Sequence, residues 1–154
     1  MFFHVSPGTC GGITGVLVFG TIGAISYLSK VSLAYNLDPQ NVPNAFEPFL
    51  VKYLRAAEFI VGLATGSIVL LVGSSALHAQ SGHLPWFYAS PLILLGQSVL
   101  FGVVFMVWLI FSYEDHKHGN AHTKLKYTVS ETLGFSSLVC FCLGYFWLIV
   151  VVTR

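Results

Sequence analysis

Charge is what this sequence has least of. Its seven Lys and Arg and six Asp and Glu amount to 8% of 154 residues, about a third of the share in a soluble domain. So few ionic groups cannot cover the surface of a water-soluble fold, and a formal net charge of +1 gives no basis for capturing nucleic acid or another acidic polymer. Cysteine is scarce as well. Cys10, Cys140 and Cys142 make no disulfide framework. On a helix, Cys140 and Cys142 would point about 200° apart, too divergent to bridge or to chelate one ion, so they read as small packing residues. No Lys or Arg precedes the first apolar run. The basic region of a cleaved leader is missing, and that run is expected to be a membrane span.

What the chain has in abundance is long apolar sequence: 55% of residues are hydrophobic and the mean hydropathy is +0.78. Four runs, near residues 11–34, 52–77, 86–111 and 128–152, each exceed the roughly 18 to 20 residues needed to cross about 30 Å of hydrocarbon. Backbone inside a bilayer must satisfy its own hydrogen bonds, and runs without strand alternation do so as α-helices. The expected fold is an all-α integral membrane protein, a four-transmembrane-helix bundle in a single membrane domain, in contact with the lipid bilayer. "YNLDPQNVPNAFEP" ends the first run and seats Pro48 in the first turn of the second helix. "HAQSGHLP" and "SYEDHKHGNAHTK" make the other two connections. Trp86, Phe87, Tyr88, Tyr113 and Tyr127 flank the runs as interfacial anchors.

Orientation follows from the basic residues. Lys30, Lys52 and Arg55 lie at the first connection, Lys117, Lys124 and Lys126 at the third, and Arg154 alone on the opposite side. The positive-inside rule puts those two connections in the cytoplasm or its equivalent, with both termini on the non-cytoplasmic side.

Small residues recur along the first two runs: Gly12, Gly15, Gly20, Gly23 and Ser26, then Gly62-x-x-x-Gly66 followed by Gly73. Such stripes let helix backbones approach closely in lipid. They serve either the bundle itself or a neighbour, whether another membrane subunit or a second copy. Gln97, Ser98, Thr65, Ser67, Ser136 and Ser137 place polar groups at membrane depth, where they are expected to hydrogen-bond between helices.

The ionisable residues offer one candidate for chemistry. His116 and His118, with His122 four further on, have a spacing that can place imidazoles around one ion. Glu58 and Glu131, both about one turn inside the expected inner interface, could join them as oxygen donors. A mixed imidazole and carboxylate set suits zinc, iron or copper. Simpler readings compete: a polar loop is made of such residues, and Glu58 lies three residues after Arg55, within reach of a same-face ion pair. His4, His78 and His83 lie in a tail, a helix end and a turn, which argues against haem held by two buried histidines.

No complete catalytic constellation emerges. The sequence points first to a non-catalytic membrane subunit that packs through glycine faces into a larger complex or homo-oligomer. A metal-dependent membrane enzyme or metal-handling protein is the second reading. A small oligomeric channel or carrier, with Glu58 or Gln97 lining a pore, is the third.

Overall fold

The computed structural model describes residues 7–28, 46–73, 86–119 and 123–153. Four helices account for nearly all of them: α1 (Pro7–Leu28), α2 (Phe46–Gly73), α3 (Ala89–Lys117) and α4 (Lys124–Val152), with a single 3₁₀ turn at Trp86–Tyr88 leading into α3. All four are long and apolar enough to cross a membrane. The chain is a multi-pass integral membrane protein whose helices pack as a bundle. Large apolar side chains such as Leu28, Leu70 and Phe146 are exposed on its outside, where lipid tails replace water and exposure carries no hydrophobic penalty.

The helix ends differ from the runs read off hydropathy. α2 begins at Phe46, ahead of the apolar stretch, and Pro48 does sit in its first turn, where a missing N–H costs nothing. α3 runs on to Lys117 through Glu114 and Asp115, so much of "SYEDHKHGNAHTK" is helical rather than loop. The helix stops where Gly119 adopts a φ of +80°, the left-handed cap glycine tolerates. There His118 N–H donates to Glu114 O at 3.1 Å and Gly119 N–H to His116 O at 3.0 Å. α4 restarts after Thr123, whose hydroxyl accepts from the Lys126 N–H at 3.4 Å.

α3 and α4 form the central antiparallel pair. The buried face of α3 includes Pro91, Leu95, Ser98, Gly102, Phe105, Leu109, Ser112 and His116, steps of four and three residues in alternation. Leu133, Ser137, Cys140 and Gly144 on α4 follow the same rhythm. This 3.5-residue repeat is the seam of a left-handed helix pair. α1 docks in the groove between α3 and α4, while α2 packs chiefly on α3; among the described residues α1 and α2 do not touch each other. Phe19 of α1 stacks on Phe101 of α3 with ring centroids 5.2 Å apart. On the other flank Ala57 of α2 joins Phe105, Leu109 and Leu133 in the one buried apolar cluster among the described residues.

Candidate functional site

The antiparallel course gathers the charges at one end. Glu47, Lys52, Arg55 and Glu58 occupy the first turns of α2, Glu114, Asp115 and Lys117 the last turns of α3, and Lys124, Lys126 and Glu131 the first turns of α4. Every charged residue among those described is in this group, five cations against five carboxylates. Their effect is to stitch helices together. Asp115 and Lys126 form an ion pair across the α3–α4 hairpin, part-exposed and so worth at most about 1 kcal/mol. Ser26 Oγ of α1 donates to Glu131 Oε2 at 2.8 Å. The Lys124 ammonium lies 5.3 Å from the centre of the Tyr27 ring, a second tie from α4 to the end of α1.

The four proposed metal ligands among the described residues are spread over this end. His116 is buried at 5% exposure in the last turn of α3. His118, one residue past the helix end, is exposed. Glu131 is engaged by α1, whereas Glu58 is exposed on α2, the helix on the other flank. His122 lies outside the described residues. Among those described, no group of three or more His, Cys, Asp or Glu side chains is placed to hold a metal ion. His4, His78 and His83 also lie outside them. The expected Arg55–Glu58 ion pair is not formed: both side chains are exposed and neither makes an ion pair among the described residues. With the cation N-terminal to the carboxylate, the pair has the less favourable orientation on a helix.

Deeper in the bundle, hydroxyl and amide groups join helices. Ser98 Oγ donates to Ser137 O and Ser137 Oγ to Ser98 O, each at 2.8 Å. This reciprocal pair is possible because both positions lie on the seam and both side chains are short. Ser67 of α2 meets the Tyr145 hydroxyl of α4. Gln97 Nε2 donates to Gly12 O of α1 at 3.4 Å, and the amide oxygen occupies the space a Cβ on Gly15 would need. Thr65, by contrast, is exposed. Most of these groups are spent in crosslinks, although the buried Gln97 Oε1 and Ser136 Oγ make no hydrogen bond among the described residues, and no continuous polar face of the kind a pore needs joins them there.

The glycines divide into two sets. A Cβ on Gly11 would come within 2.8 Å of Ser90 O, one on Gly102 within 2.6 Å of Val61 Cγ2, and one on Gly144 within 3.1 Å of Leu95 Cγ. Gly134 and Gly15 are similarly filled by Phe105 and Gln97, and Gly23 meets Thr132 at an ordinary 3.4 Å. The other set is open. Around Gly12, Gly20, Gly62, Gly66 and Gly73, and around Gly96 on α3, a Cβ would meet nothing within 4 Å. Of the seven glycines read from the sequence as packing positions, Gly15 and Gly23 face another helix of the bundle, Gly12 meets one only through its carbonyl oxygen, and Gly20, Gly62, Gly66 and Gly73 face away from it. Gly11, Gly102, Gly134 and Gly144 were missed; the 3.5-residue repeat running through Gly102 and Gly144 was the signal that could have found those two.

The chain matches no family model, and neither its sequence nor its structure is similar to a curated protein or a solved structure.

Proposed function

We propose that this chain is a small, non-catalytic four-span subunit that seats in a membrane assembly through the glycine-lined outer faces of α1 and α2. The observation that carries this reading is the open set of glycines. Glycine in a helix interior is worth up to about 1 kcal/mol less than alanine, and in lipid its benefit is close approach of another backbone. Gly62, Gly66 and Gly73 have no such neighbour within the bundle, and α2 is its least covered helix: 11% of its most apolar stretch is buried, against 33% for α3. The metal-dependent reading rests on ligands that sit on different flanks, and has less support.

The charged end is assigned to the cytoplasmic side or its equivalent, with both chain termini opposite. The excess of Lys and Arg at the first and third connections supports this. A membrane-impermeant thiol reagent applied to intact cells should leave a cysteine introduced at Gly119 unlabelled; labelling there reverses the orientation.

The test of the subunit reading is extraction in a mild detergent followed by native mass measurement. The expected species is an assembly larger than one chain, lost on Gly62→Leu/Gly66→Leu while the helices stay folded. A well-folded wild-type protein recovered only as a solitary chain ends the proposal.

A further inference from the structure

We infer that the partner on the outer face of α2 is a second copy of this chain, joined by a two-fold axis along the membrane normal so that the two α2 helices run parallel. This rests on the subunit reading above and says what covers one of its faces. Arg55, Phe59, Gly62, Gly66, Val69 and Gly73 recur at steps of four and three residues and are all exposed, so they form one stripe along the helix. Glu58 borders it, also exposed.

Glycine alone would leave the occupant undefined; the charges narrow it. Arg55 and Glu58 sit at one end of the stripe, three residues or about 4.5 Å apart along the axis, and neither makes an ion pair among the described residues. They occupy a face turned toward lipid, where an ionic group is costly without a counter-ion. In a parallel pair related by a two-fold axis the same patch meets itself. Each Arg55 then lies about one turn from the Glu58 of the other copy, and the long guanidinium reaches across. Two complementary ion pairs form from one self-matching surface, while the Gly62 and Gly66 backbones meet below them. The open face of α1 contrasts with this: Gly12 and Gly20 lie on a helix whose described residues include no charge, so nothing there selects a second copy.

The experiment is self-association of the full-length chain in lipid vesicles, read by energy transfer between donor- and acceptor-labelled copies at fixed protein-to-lipid ratio. Arg55→Glu and Glu58→Arg are each expected to weaken pairing about tenfold by placing like charges together, and the combined swap to restore most of it. Gly66→Leu, at a position where an added Cβ meets no atom within 4 Å, should abolish pairing with helicity unchanged, while Gly12→Leu leaves it intact. Wild-type chains that remain monomeric in vesicles, or single charge reversals without effect on pairing, overturn the inference. If the wild type is monomeric in vesicles yet is extracted in a larger assembly that Gly62→Leu/Gly66→Leu disperses, the self-pairing inference fails and the subunit reading stands. If it is monomeric in both settings, both fail.

Discussion

The seam between α3 and α4 and the outer face of α2 are built from the same residue types and do opposite things. Both use glycine at alternating steps of three and four, the seam adding small hydroxyl side chains. On the seam each small residue is matched by something that fills it: Gly144 by Leu95, Gly134 by Phe105, Ser98 by Ser137. On α2, Gly62, Gly66 and Gly73 meet nothing. A glycine stripe in a membrane helix is therefore a provision for close approach, and only the neighbour decides whether that provision is used inside the chain or outside it.

This contrast can be broken at the seam first. Gly102→Leu drives a side chain into Val61 and the Ser137 hydroxyl, and should cost about 3 kcal/mol, measured by denaturant titration in mixed micelles; a loss well below that would mean the α2–α3 contact is loose. Ser98→Ala/Ser137→Ala removes both reciprocal bonds and should cost about 1 kcal/mol, since hydrogen bonds between membrane helices average roughly 0.6 kcal/mol. Ser26→Ala should cost slightly less, about 0.5 kcal/mol, and should not add to Glu131→Leu if the two act as one contact; full additivity in a double-mutant cycle would show that they do not. Last, Gly62→Leu should not destabilise the monomer, because an added Cβ there meets no atom within 4 Å and the change removes a helix cost of up to about 1 kcal/mol. Against these, elemental analysis of the purified chain should find no transition metal that depends on His116 and His118. A stoichiometric ion lost on His116→Ala/His118→Ala would return the charged end to the status of a metal centre.

The fold was legible because lipid imposes a simple length rule: four apolar runs are long enough to span, and four helices do. The ends were less legible, since hydropathy falls at Glu114 and Asp115 although the helix carries on to Lys117. Hydropathy marked 112–117 as loop where the backbone continues to its stop at Gly119. That shift moved His116 from the expected loop into a buried helical turn, with His118 exposed just beyond it. Inward faces were the hardest to read. In a chain apolar all round, burial leaves little amphipathic trace, so Gly12 and Gly62 looked as inward as Gly15 did. Spacing did not separate them either, because the 3.5-residue repeat of Ser98, Gly102, Phe105 and Leu109 on the inner seam recurs in Phe59, Gly62, Gly66 and Val69 on the outer face of α2.

The short link between α3 and α4, six residues from 118 to 123, has a consequence for assembly. It makes the last two helices a hairpin with local contacts, the kind that forms quickly. α1 and α2 are made earlier, yet each packs on that hairpin and among the described residues neither touches the other. Both must therefore reside in the bilayer as separate spans until the surface that holds them has been synthesised, so the C-terminal half of the chain is the template on which the N-terminal half is mounted.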